Sequence, residues 1–311
     1  MLYYCDSPPA NFGDDLNPWL WPRLAPEICG AQDATLFLGI GTILTHNVPS
    51  QPLKVVFGSG CWGTGPLPKI DHRWKIHCVR GPLTATRLRL DRSLALADPA
   101  ILVRRFASRS PRSEYPVSVM PHVQSMLHAD WEALCARIGF HCIDPRAGVD
   151  RVLDELGKTK LLLAEAMHGA IVADALRVPW IPVRIYSRFN HFKWQDWAQS
   201  LGLTLRIPEV SPIYARPPRP WKRLDYAVKK GLARAGLGRE SWKRLGIRSS
   251  TDSEIARSLE ELRQLPERQE AALSNEAVLS RIETRLLEKL SVVRATWIKP
   301  PPTTLFPAAA N

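Results

Sequence analysis

LLLAEAMHGAIVADALRVPWIPV, residues 161–183, decides the fold. An apolar run breaks at Glu165-Ala166-Met167-His168-Gly169, resumes with Val172, Ala175 and Leu176 at helical spacing, and ends in a second apolar run. This reads as strand, turn, helix, strand. In such a unit the turn lies beyond the carboxyl end of a strand, at the amino end of a helix whose free N–H groups and dipole attract anions. His168 falls in that turn. A histidine there can donate to phosphate or carboxylate, or relay a proton. The alternative is a histidine that caps or packs a core turn, since placed histidines mark function only statistically.

The same alternation extends toward the N-terminus. Val149, Val152, Leu153 and Leu156 mark a helix face, 140–143 a strand, 126–138 a helix and 116–120 a strand ending at Pro121-His122. The polar, basic, Ser/Pro-containing stretch 104–115 is the best boundary. Before it, residues 2–5, 35–38, 54–57 and 75–79 read as strands, 6–17 as a polar loop and 19–24 as a short helix limited by Pro22. Strands alternating with helices in both halves predict two α/β domains, 1–110 and 111–209, with mainly parallel sheets. From about residue 210 the strand signals stop, and 221–235, 253–265 and 275–297 read as helices of a C-terminal extension, 210–311.

Composition narrows the class. The chain has 311 residues, 45% of them hydrophobic, enough for two ordinary cores. It shows no long uncharged apolar run and no signal-type start, so the expected location is the cytoplasm. The six cysteines are scattered without a C-x-x-C pair, which favours reduced thiols, and neither a metal motif nor a cofactor motif appears. Net charge is +12, and residues 216–248 hold eleven Lys/Arg against only Asp225 and Glu240. Such a cluster implies a polyanionic partner: an anionic membrane, nucleic acid or a neighbouring protein. Nucleic acid is disfavoured because the charge lies outside the α/β body and no nucleic-acid-binding motif accompanies it.

Several turns suit ligands. Gly39-Ile40-Gly41 and Gly58-Ser59-Gly60 follow strands, which makes Gly41 and Gly60 candidates for close backbone approach; each is equally a plain tight turn. In Arg80-Gly81-Pro82, the proline suits the first turn of a helix and puts Arg80 at a strand-to-helix junction. An arginine fork there can grip phosphate or carboxylate; a surface ion pair is the other reading.

Taken in order, Asn11-Phe12-Gly13-Asp14, the glycine turn after 36–38, Phe57-Gly58-Ser59-Gly60, Val79-Arg80-Gly81-Pro82, Asp98-Pro99 and Glu165 to Ile171 resemble the polysaccharide pyruvyl transferases, bacterial exopolysaccharide branch. The resemblance spans roughly residues 2–200. It implies two Rossmann-like domains facing a cleft in a GT-B-like fold, and transfer of pyruvate from phosphoenolpyruvate to a sugar as a cyclic ketal. By position, Arg80 looks like the family's donor arginine and His168 like its motif histidine, with Met167 and Gly169 beside it. Some relatives carry arginine where this chain has Ala166; Arg184, Arg188 and Lys193 are candidate replacements.

Protonating the methylene carbon of phosphoenolpyruvate leaves an oxygen-stabilised cation at C2, which a sugar hydroxyl attacks before phosphate leaves. That chemistry needs a general acid, a base, and cationic or N–H donors for the anion, without an inherent need for a metal. His168 and Glu165 are the acid/base candidates. Asn11, Asp14, Asp15 and His122 are acceptor candidates, though the two aspartates suit helix capping equally well. Phe189, Phe192, Trp194 and Trp197 read better as packing than as a sugar platform. A lipid-linked oligosaccharide acceptor would give segment 216–248 an anionic bilayer to meet. The competing function is a GT-B nucleotide-sugar glycosyltransferase, which fold alone does not separate.

Overall fold

The computed structural model describes residues 1–6, 8–29, 35–215 and 249–298. Segment 216–248, with the expected helix 221–235, lies outside them.

The chain enters helix α1 (Phe12–Leu24), which starts inside the stretch expected as loop and runs through Pro18 and Pro22. Proline at 18 cannot donate to the carbonyl of Asp14; the Asn17 side-chain amide supplies that donor instead, at 3.1 Å. The substitution of a side-chain donor for a missing backbone one lets a longer helix form than proline counting suggests. A short α2 (Pro26–Cys29) follows. The expected strand 2–5 is only a parallel bridge between Leu2 and Phe37.

β1 (Thr35–Leu38), β2 (Leu53–Phe57) and β3 (Trp74–Cys78) form a parallel sheet in the order β1-β2-β3. Helix α3 (Pro82–Arg87) then leads to a 3-10 segment, Pro99–Arg105, capped by Asp98. Beyond the 104–115 connection, β4 (Tyr115–Met120) opens a second parallel sheet. Helix α4 (Trp131–Ala136), β5 (His141–Cys142), α5 (Val149–Gly157), β6 (Thr159–Ala164), α6 (Met167–Ala175) and β7 (Trp180–Pro182) complete it in the order β5-β4-β6-β7. The α/β class with parallel sheets is therefore as expected. The single helix expected over 126–138 is broken in two, because the Asp130 carboxylate caps α4 at the Ala133 N–H and leaves only a 3-10 turn before it.

After β7 come α7 (His191–Ser200), α8 (Asp252–Arg268) and α9 (Glu276–Ile298). Thr251 and Glu254 form a capping box on α8, whose Ile255, Leu259, Leu262 and Leu265 bury against Leu163, Ile181 and Val183 of the second sheet. Helix α9 returns to the first half: Trp297 lies edge-on to Phe37 at 6.3 Å, in the same core as Trp21 and Phe57. At roughly 1.5–3 kcal/mol per buried large apolar side chain, these helices contribute to both cores. Cys29, Cys61, Cys78, Cys135 and Cys142 are free thiols.

Candidate active site

A cleft of about 580 Å3 opens beyond the carboxyl ends of β1, β4 and β6. One wall belongs to the first half and includes Asn11 and Asp14 at the start of α1, Thr42 after β1, and Trp62 after β2. The other is built by His122 after β4, Ala166 to His168 at the start of α6, and Lys193 from α7. Two helix amino ends thus border one cavity. No side chain caps α6, whose preceding residue is Ala166, so its first-turn N–H groups remain available to an anion.

His168 sits in the second residue of α6 with its side chain 16% exposed. Its Nε2 lies 3.5 Å from Oδ2 of Asp98, and neither of these buried atoms has a hydrogen-bond partner among the described residues. The other ring nitrogen, Nδ1, faces Gly13, where a Cβ would collide with it. Glycine in the first turn of α1 is what lets the imidazole approach that helix so closely. Nothing in the local pattern of Asp98-Pro99 signals that the Asp98 carboxylate meets a histidine of the second sheet unit.

Lys193 faces the cleft and its Nζ has no ion pair or hydrogen bond among the described residues. Burial lowers its ammonium from the ordinary value to about 8; Arg80 pushes the same way, while Asp14, Glu165 and Asp98 oppose. His122 is lowered to about 4 by burial, then by Lys193, Arg188 and His168, and is therefore neutral at pH 7. Its Nδ1 accepts the Gln124 N–H at 3.2 Å. Asp14 is raised by burial, against the Asn11 amide, which donates to it at 2.5 Å, and against His168 and Lys193.

Other candidates occupy different places. Arg80 is fully buried: its Nε pairs with Asp196 at 3.1 Å and its Nη1 donates to Thr42 at 2.9 Å. Asp196, from α7, also accepts the Thr84 N–H at 2.9 Å and the Thr84 hydroxyl at 2.6 Å. The anion at the amino end of α3 is thus a carboxylate of the same chain, and Arg80 reaches the cleft through Thr42. Gly60 makes room for that guanidinium, since a Cβ there would strike it. Glu165 is buried, raised by desolvation, and turned away from the cleft: its oxygens accept the backbone N–H groups of His122 at 2.9 Å and Tyr186 at 3.2 Å. Asp15 accepts the Asn11 N–H at 3.1 Å, a helix-end role. Gly41 and Met167 line the cavity, while Gly169 accommodates the Met120 sulfur. Arg184 pairs with Glu209, and Arg188 is exposed. Trp194 and Trp197 are buried against Trp180, which is packing.

Two residues escaped the sequence reading. Asn17 is buried and holds the Ile40 N–H and carbonyl, each at 3.0 Å, which fixes the glycine turn beside the cleft onto α1. Asp196 had a signal available: an acid on the same helical stretch as two buried tryptophans needs a buried partner.

Residues 67–186 match the family model described as polysaccharide pyruvyl transferase. Over 218 residues the chain is 42% identical to the succinoglycan biosynthesis protein ExoV of Rhizobium meliloti (strain 1021), spanning 69% of this chain and 68% of that protein. The chain belongs to the polysaccharide pyruvyl transferase family. No solved structure matches it. For this pyruvyl transferase family member the model match takes in Arg80, Asp98, His122, Glu165 and His168, whereas Asp14, Trp62 and Lys193 lie outside it. Among the described residues no helix is long and apolar enough to cross a membrane.

Proposed function

We propose that this protein transfers pyruvate from phosphoenolpyruvate to a sugar of an exopolysaccharide precursor, forming a cyclic ketal and releasing phosphate. The observation that carries the reading is the convergence of Lys193, the open amino end of α6 and His168, which has the buried Asp98 behind it, on one cavity wall. The first two suit a small anion, and they offer a replacement for the arginine that some relatives have at Ala166.

In this reading the α6 amides and Lys193 hold the phosphate and carboxylate. His168, positioned between Asp98 and Gly13, delivers a proton from Nδ1 to the methylene carbon, and C2 becomes an oxygen-stabilised cation. Asp14, whose raised basicity suits a general base, takes the proton of the first attacking hydroxyl. The C2–O bond to phosphate then breaks, and a second sugar hydroxyl closes the ketal. Of the two protons that leave the hydroxyls, one balances the proton placed on the new methyl group and the other departs with phosphate. In this reading no cofactor takes part. The two sheet units, 1–110 and 111–209, act here as Rossmann-like lobes of a GT-B-like enzyme.

A cytoplasmic protein bound at the inner face of the membrane fits a lipid-linked acceptor. Each Lys/Arg of 216–248 near an anionic bilayer contributes roughly 1 kcal/mol. Replacing that segment by a Gly/Ser linker is expected to abolish sedimentation with anionic liposomes; unchanged sedimentation removes the membrane role.

The main test is acceptor-dependent phosphate release from phosphoenolpyruvate without any nucleotide. His168→Ala is expected to remove most turnover while circular dichroism stays native. Turnover within about threefold of the parent would contradict the assignment, and a requirement for a nucleotide sugar would favour a glycosyltransferase.

A further inference from the structure

The two walls of the cleft differ in charge. On the wall from the first half, Asp14 is the charged side chain and no Lys, Arg or His lines the cavity; the opposite wall carries the Lys193 ammonium, beside His168 and the neutral His122. An anionic donor and a neutral polyol would therefore partition to opposite sides.

Trp62 lies on the wall of Asp14, away from Lys193. It is 49% exposed, and among the exposed large hydrophobic residues of the described chain it alone lines the cleft. Its indole has no ring partner and its N–H no hydrogen bond among the described residues. The exposure is not that of a loose loop. The Cys61 N–H donates to Thr84 at 3.3 Å, the Cys61 carbonyl accepts from Arg80 at 3.5 Å, and the Gly65 carbonyl accepts from Arg87 at 2.7 Å. Gly63 rests on Phe192 so closely that a Cβ would stand 2.7 Å from it, which places the loop beside the residue that precedes Lys193. A large aromatic face is thus held open at the cavity by a backbone anchored to α3, to the Arg80 turn and to α7.

We infer that Trp62 is the stacking platform for a pyranose ring of the acceptor. Sugar C–H faces pack on an aromatic surface while the ring hydroxyls need polar partners, and Asn11, Asp14, Thr45 and Asn47 line the same wall. Calling that ring the acceptor rests on the pyruvyl-transfer reading; the binding of a pyranose does not.

The test separates the two. Saturation-transfer NMR with cellotetraose and with the methyl glycosides of glucose, galactose and mannose reads sugar binding directly, and calorimetric titration of the same samples with phosphoenolpyruvate reads the donor. The parent protein is expected to show transfer to the C–H protons of at least one probe. Trp62→Ala is expected to lose that transfer, Trp62→Phe to keep part of it, and both to bind phosphoenolpyruvate within about twofold of the parent. Undiminished transfer in Trp62→Ala overturns the platform, as does absence of transfer for every probe in the parent. Loss of phosphoenolpyruvate binding in Trp62→Ala also overturns it, by placing the indole in the donor pocket. If the parent binds sugar but no phosphoenolpyruvate, the pyruvyl-transfer reading falls while the platform stands.

Discussion

Nε2 of His168 stands 3.5 Å from Oδ2 of Asp98, joining the amino end of α6 in the second sheet unit to the segment that follows the first. The other oxygen of Asp98 accepts the Ala100 N–H at 3.1 Å, so the carboxylate is fixed before the histidine meets it. Nε2 thus faces Asp98, and Nδ1 is the nitrogen beside Gly13.

Asp98→Asn keeps the shape and removes the negative charge that faces Nε2. Expected is a fall in kcat of about 10²–10⁴-fold with little change in the KM for phosphoenolpyruvate. Steady-state phosphate release measures it, and a change below about threefold would show that Asp98 does not orient the ring.

Gly13→Ala puts a methyl group where His168 lies. The imidazole must turn away, at a cost of about 1–3 kcal/mol if the surroundings do not yield. Chemical denaturation is expected to show that modest loss, and turnover a much larger one, approaching that of His168→Ala.

Lys193 gives a pH signature. Its folded pKa of about 8 lies below its unfolded value, so the ammonium opposes folding below pH 8 and the penalty disappears as pH rises through 8 toward 10. Lys193→Met is therefore expected to raise Tm by a few degrees at pH 7 while weakening phosphoenolpyruvate binding at least tenfold. In the parent, a bound anion returns the pKa upward, so binding near pH 8 takes up protons. Calorimetry in buffers of different ionisation enthalpy reads that uptake, and its absence would exclude contact between Lys193 and the anion.

The Arg80–Asp196 pair is buried on both sides. Removing one member leaves an uncompensated charge and is expected to destabilise by about 3–5 kcal/mol, whereas the double replacement Arg80→Met with Asp196→Leu costs less than the sum of the singles. A double-mutant cycle by denaturation checks this, and additive losses would mean the pair is uncoupled. Because Asp196 lies one helical turn from Lys193, the single variants should also raise the KM for phosphoenolpyruvate.

Local pattern was a good guide wherever burial follows from spacing. The face of Val149, Val152, Leu153 and Leu156 is buried along α5, and the run 161–164 forms the middle of the second sheet. It failed where a side chain replaces backbone chemistry, as when Asn17 serves the Asp14 carbonyl opposite Pro18, or where Asp130 ends one turn and starts a helix. At the cleft, the turn holding His168 was legible because a strand-to-helix junction exposes N–H groups by construction. Arg80 occupied such a junction too, yet an internal acid reached it first.

Residue order by itself determined two parallel α/β units and a histidine at the mouth of one of them, since strand and helix periods are local properties. Only tertiary packing decided which charges meet. Arg80 and Asp196 are 116 residues apart. They meet, as Asp98 and His168 do, because α6 and α7 are docked against the first unit, and no periodicity records the partner of a buried charge when that partner arrives from a different fold unit.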